Sequence, residues 1–129
     1  VEDALQRHGV KPTPQRVEIG MLLLSRPCHL SAEQILAGLR AGGSGVSKAT
    51  VYNTLNLFSR RGILKEVAVD PSRLMYDSTT GAHHHFYNVD TGELIDIDPA
   101  DVQLTRLPPL PEGTTADRLE LIIRVRRQR

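Results

Sequence analysis

The chain has 129 residues, 40% of them hydrophobic, with a net charge of +1 and a single cysteine. That length supports one domain or two small ones, and a lone Cys28 excludes an intrachain disulfide framework or a cysteine-rich zinc site within one chain. No apolar run is long enough to span a bilayer and no cationic-then-apolar segment opens the sequence, which predicts a cytoplasmic setting and no membrane partner.

The first two-thirds reads as short helices. A helix over residues 1–8 comes first. Thr13-Pro14 is an N-cap followed by proline at the first helical position, with Val17, Met21 and Leu24 as the core face and Pro27 as the stop. Ser31-Ala32-Glu33-Gln34 has capping-box form; Ile35, Leu36 and Leu39 then face inward until Gly42-Gly43. Ser47 caps a further helix whose Val51, Leu55 and Phe58 recur at i, i+4 and i+7, with Gly62 just past its end. After Gly62 the period changes. Ile63–Val69 and Leu74–Asp77 are strands joined by a tight turn at Asp70-Pro71-Ser72-Arg73, and helices followed by such a hairpin follow the order of a winged helix.

Gly81 marks a boundary, giving units 1–80 and 81–129. The second reads as a small α+β unit: a hairpin of His83–Val89 and Glu93–Ile97, a short helix over 99–106, a stiff Pro108-Pro109-Leu110-Pro111 connector, and a half-buried strand in which Leu119, Leu121, Ile123 and Val125 alternate. So small a unit cannot bury both faces of its sheet, and pairing with a second copy is the simplest remedy.

Charge is sorted along the chain. Residues 1–65 carry nine Lys/Arg against four Asp/Glu, residues 66–101 one against eight, and residues 102–129 six against three. A basic part suits a polyanion and an acidic part suits cations, although solvated charge runs give the same pattern. Within the acidic part stand three consecutive histidines. Strand alternation puts His83 and His85 on one face and His84 on the other, a ligand pair and a separate third donor. If the hairpin folds about Thr91-Gly92, Asp96 lies opposite Tyr87 and diagonal to His85 on the same face.

The helix after Ser47 leaves Lys48, Tyr52 and Asn53 outward near its N-terminal end. Asn pairs with adenine edges and an aromatic ring contacts thymine methyls, while Thr50 and Lys48 suit phosphate. Lys11 and Arg16, beside the Thr13 cap, suit the flanking backbone or a minor groove. An ordinary solvated helix explains the same residues, and spacing alone leaves the two readings level.

Val10-Lys11-Pro12-Thr13-Pro14-Gln15-Arg16, His29-Leu30-Ser31-Ala32-Glu33, Val46-Ser47-Lys48-Ala49-Thr50-Val51-Tyr52-Asn53-Thr54-Leu55, Gly62-Ile63-Leu64, and the histidine run followed by Thr91-Gly92-Glu93-Leu94-Ile95-Asp96 resemble the ferric uptake regulator superfamily. The resemblance implies a homodimeric, metal-responsive regulator binding an inverted-repeat operator, with a winged-helix DNA-binding domain (1–80) and an α/β dimerisation and sensing domain (81–129). It implies DNA contacts by Lys11, Arg16, Ser47, Lys48, Thr50, Tyr52 and Asn53. The family's regulatory metal site maps onto His29, Asp77, His83, His85 and Asp96, all able to ligate Fe, Mn or Zn. A second metal site would use His83 and His84, but Gln103 replaces its glutamate and its later histidine has no counterpart. The family's structural zinc would begin at Asn88 and Thr91, neither a thiolate.

The histidine run, the missing cysteine pairs, the proline-rich connector and the Ile122-Ile123-Arg124-Val125-Arg126-Arg127 tail are similar to the iron response regulators of alphaproteobacteria. That branch implies haem as a signal, bound through His83, His84 and His85 and delivered by a haem-synthesis protein. The Pro27-Cys28 order reverses that branch's Cys-Pro motif, so Cys28 reads as a small buried residue. Two other readings stand beside this one. The same five ligands are similar to those of peroxide-sensing members, where iron drives oxidation of a histidine. A metal-dependent hydrolase would need a placed general base, which no further constellation supplies, and it leaves the recognition helix unexplained.

Overall fold

The computed structural model describes residues 1–26, 28–70, 73–81 and 83–129, the side chain of Asp70 excepted. The expected stop at Pro27 and the turn through Pro71-Ser72 lie outside the described residues. The fold is mixed α+β, and the chain separates into two compact units, Val1–Thr80 and Gly81–Arg129. No helix among the described residues is long and apolar enough to cross a membrane.

The first unit runs α1 (Glu2–Arg7), α2 (Pro14–Leu24), β1 (His29–Ser31), α3 (Ala32–Ala41), α4 (Lys48–Arg60), β2 (Lys65–Asp70) and β3 (Arg73–Asp77). Each longer helix starts where its cap chemistry dictates. Thr13 Oγ1 accepts from Arg16 N at 3.3 Å. The Ser31 box is complete: its hydroxyl accepts from Gln34 N at 3.2 Å while Ser31 N donates to Gln34 Oε1 at 2.9 Å. Ser47 Oγ accepts from Thr50 N at 3.1 Å. Val51, Leu55 and Phe58 are fully buried and pack with Leu5, Ile19, Leu23 and Ile35 in one core.

Helix α2 turns differently from expectation. Ile19 and Leu23 are buried, whereas Met21 is 56% exposed. Its sequence is apolar almost all round, so periodicity leaves the phase open and packing decides it.

No local pattern in the sequence predicts strand β1. Its three residues pair antiparallel with β3, which pairs with β2 on its other side, so the hairpin becomes a sheet of order β1-β3-β2. The register sets His29 opposite Asp77, and Cys28 N donates to Ser78 Oγ at 3.0 Å just beyond. A strand this short has no alternation to read; its pairing with β3 creates it.

The second unit holds β4 (His84–Asn88), β5 (Leu94–Ile97), a 3₁₀ turn (Pro99–Asp101) and β6 (Ile122–Val125), in a sheet of order β5-β4-β6. Strands β4 and β5 are antiparallel, and β6 runs parallel to β4. The hairpin register corrects the expected one: Asp96 lies opposite His85, and Tyr87 opposite Leu94. Asn88 is the cause. Its Oδ1 accepts from Asp90 N at 2.9 Å and Thr91 N at 3.1 Å, and Gly92 N donates to Asn88 O at 2.8 Å. These bonds close a loop of Val89–Gly92, with Gly92 at φ 76°, in place of a two-residue turn.

The helix expected over 99–106 shrinks to the single 3₁₀ turn. Asp98 Oδ1 accepts from Ala100 N at 3.0 Å, but Val102 is already extended and Leu104 and Leu107 are exposed, so no packed face sustains further turns. In β6 the expected alternation is also broken: Ile123 is 39% exposed, and Leu119, at 45%, precedes the strand. Phe86, Ile95 and Ile123 occupy one cross-strand row, which leaves an apolar strip on that face.

Candidate metal centre and nucleic-acid face

Five metal-ligand positions were expected, and each unit places its own share. In the first, the β1–β3 register brings His29 Nε2 to 3.2 Å from Asp77 Oδ2. Asp77 is fully buried, and its other oxygen accepts from Thr79 N at 2.8 Å, which holds the carboxylate in place. In the second, His83 Nε2 and His85 Nε2 each lie 3.2 Å from the same oxygen, Asp96 Oδ1. The alternation read from sequence puts both rings on one face, with centroids 4.4 Å apart. His83 and His85 are buried, while the side chain of Asp96 is 46% exposed.

The donor set fits a divalent ion. Ligand bonds of about 2.0–2.2 Å put adjacent donor atoms about 3–3.5 Å apart around one cation. Both Nε2–Oδ1 distances fall there, and one donor atom from each of His83, His85 and Asp96 lies within 4.8 Å of the others. Two imidazoles and a carboxylate suit Fe(II), Mn(II) or Zn(II) without choosing sharply among them. His83 Nδ1 lies 2.7 Å from Gly81 O, and a carbonyl only accepts, so this contact engages Nδ1 as a donor and makes Nε2, the nitrogen facing Asp96, the one suited to ligation.

His84 has a different partner. Its Nδ1 accepts from Leu121 N at 2.9 Å, tying β4 to the segment that leads into β6. Gln103 is exposed beyond the 3₁₀ turn. At the expected place of the first structural zinc cysteines, Asn88 organises the hairpin loop. Cys28 is half-buried; burial pushes its thiol up, with Asp77 adding to the effect, against the Ser78 hydrogen bond and Arg26. Its Sγ donates to Leu23 O at 3.4 Å, which is the behaviour of a packing residue.

The expected DNA-contacting residues gather around the start of α4. Ser47 does two jobs there, capping the helix and donating its hydroxyl to Thr50 Oγ1 at 2.9 Å. Lys48 Nζ sits 5.7 Å from the centroid of the Tyr52 ring, which packs partly against the core. Arg16 Nη1 donates to Lys11 O at 3.0 Å, which ties the first turn of α2 to the segment that carries Lys11. Asn53 is exposed and lines a polar cleft of about 240 Å³ with Thr13, Gln15, Arg16 and Thr50. Sequence reasoning passed over Gln15. Its neighbours Thr13 and Arg16 were visible, but its share of a cleft with α4 depends on how the helices pack.

The profile of the ferric uptake regulator family matches residues 7–108. The chain belongs to that family. It is 34% identical over 93 residues to the peroxide-responsive repressor PerR of Staphylococcus aureus strain USA300, a match spanning 72% of this chain and 63% of that protein. Among solved structures it is similar to the ferric uptake regulator of Pseudomonas aeruginosa with manganese, at 29% identity and a TM-score of 0.74, covering 98% of this chain and 97% of the other. The ferric uptake regulator of Francisella tularensis with iron gives 26% identity and a TM-score of 0.75, with 93% of each chain covered. The ferric uptake regulator family comprises metal-responsive transcription regulators.

Proposed function

We propose that this ferric uptake regulator family member is a metal-dependent, homodimeric repressor that reads an inverted-repeat operator. The observation that carries the reading is the convergence of His83 and His85 on one oxygen of Asp96 at ligand spacing. In this reading His83, His85 and Asp96 hold a divalent ion with two imidazoles and a carboxylate. The first unit is taken as a winged helix whose α4 enters the major groove, with Asn53 and Tyr52 on bases and Lys11, Arg16, Ser47, Lys48 and Thr50 toward the backbone. The second unit is taken as the dimerisation domain, with the Phe86–Ile95–Ile123 strip against a second copy. Metal that favours the DNA-binding arrangement must itself be held more tightly on DNA, by linkage.

Operator affinity should be measured by fluorescence anisotropy on a site selected from random duplexes, with Mn(II), with Fe(II) and after chelation. Affinity that rises with metal supports the proposal, and identical affinity in all three states overturns it. Haem added to the metal-loaded complex separates the haem-responsive form, in which His83, His84 and His85 take the iron of the porphyrin and operator binding falls. Delivery by a haem-synthesis protein belongs to that form alone.

The PerR likeness and the carboxylate at position 96, shorter than glutamate, favour a second reading as a peroxide sensor. Peroxide treatment of the iron form would then add one oxygen, ~16 Da, to a ligating histidine, following the oxidation logic of. Mass spectrometry showing no such histidine product removes that reading.

A further inference from the structure

We infer that Glu120 is the positioning residue of His85: its carboxylate accepts the Nδ1–H of that ring and so turns the Nε2 lone pair toward a divalent cation. The inference deepens the metal reading above and rests on it.

A neutral imidazole carries one N–H, and only its other nitrogen ligates, so each histidine ligand needs an acceptor behind it. His83 has one in Gly81 O. For His85 the group behind the ring is Glu120, whose Oε1 stands 4.0 Å from Nδ1. A carboxylate, like a carbonyl, accepts. His85 is fully buried, so bulk water is not there to serve instead.

Backbone pairing delivers Glu120 to this place. His85 N donates to Leu121 O at 3.1 Å, and Leu121 N donates to His84 Nδ1 at 2.9 Å. The two bonds lock the residue after Glu120 to the residue before His85 and to His85 itself. Arg118 Nε lies 3.9 Å from Glu120 Oε2, which leaves Oε1 turned to the imidazole. The gap exceeds hydrogen-bond length by about 1 Å, the reach of a small rotation of the Glu120 side chain. Glu120 faces Nδ1, the nitrogen away from Asp96, which is the side for orienting the ring rather than for ligating the ion. His84, the one histidine of the run outside the ligand pair, thereby helps to build the support.

The test uses the full chain with Glu120→Gln and Glu120→Ala, and Co(II) as the probe metal. Co(II) affinity should fall about 10–100-fold in Glu120→Ala, the usual cost of losing an outer partner. Glu120→Gln, which keeps an accepting oxygen, should restore part of it. The visible Co(II) spectrum should keep its shape, because no ligand is lost. In metal-free protein carrying Asp96→Ala, which removes the carboxylate facing Nε2, long-range ¹H–¹⁵N spectra should show the His85 proton on Nδ1, lose that preference when Glu120→Ala is added, and leave His83 unchanged. Unaltered affinity and tautomer in Glu120→Ala overturn the inference, as does a Co(II) spectrum showing loss of an oxygen donor. If the wild-type chain binds no Co(II) at all, the metal reading fails, while the tautomer comparison still decides the role of Glu120.

Discussion

Asp96 shows how much one residue draws from its surroundings. On sequence it is one of several acids in a charged stretch, and its side chain remains nearly half exposed. Both buried imidazoles nevertheless point Nε2 at its Oδ1. Replacing it with alanine should weaken Mn(II) binding at least as much as losing an outer-shell partner does, about 10–100-fold. Because the residue is exposed, chemical denaturation should show a stability change within about 0.5 kcal/mol. Isothermal titration beside a urea melt checks both halves of that expectation. On the proposed nucleic-acid face, residues should separate by role. Asn53→Ala should lose about 1–3 kcal/mol of discrimination at one base pair. Lys11→Ala should weaken all duplexes alike and lower the salt slope by about 1. Competition binding against single-base operator variants, over a salt series, distinguishes the two.

At the scale of elements, caps were the most legible feature and register the least. Ser31, Gln34, Thr13 and Ser47 act within one turn of themselves, so a four-residue pattern contains the whole interaction. Ser31→Ala removes a cap with both reciprocal bonds in place and should cost about 1 kcal/mol. Thermal melts followed by circular dichroism would measure it; no change would mean that β1, which ends at the same serine, holds the start of α3 unaided. The hairpin register depended instead on Asn88, whose side chain takes two backbone donors and lengthens the loop. A shift of two residues keeps each side chain on its face, so facing was right while Asp96 came closer to His85 than expected. The helix expected after β5 failed for the opposite reason: local propensity was present and no surface was there to pack it.

The whole molecule divides its chemistry between two units. The first buries a continuous core and carries Lys11 and Arg16, joined by a hydrogen bond; the second has a three-stranded sheet with Ile95 and Ile123 exposed on one face. If that face seats a second copy, Ile95→Asp with Ile123→Asp should convert a dimer to a monomer in sedimentation velocity. The same double substitution should abolish cooperative binding to the paired half-sites while each first unit stays folded. A dimer that survives both changes places the interface elsewhere.

The sequence by itself determined the first unit's helices, their caps, the family and the facing of His83 and His85. These follow from patterns a few residues long, or from motifs kept in order along the chain. Only the tertiary structure decided that His29 pairs with Asp77 across a strand too short to read, that Asp96 stands directly opposite His85, and that Glu120 lies behind that ring. Each of these depends on which strand lies beside which and in what register. That choice is made by core packing and backbone hydrogen bonds far apart in sequence, where no local period records it.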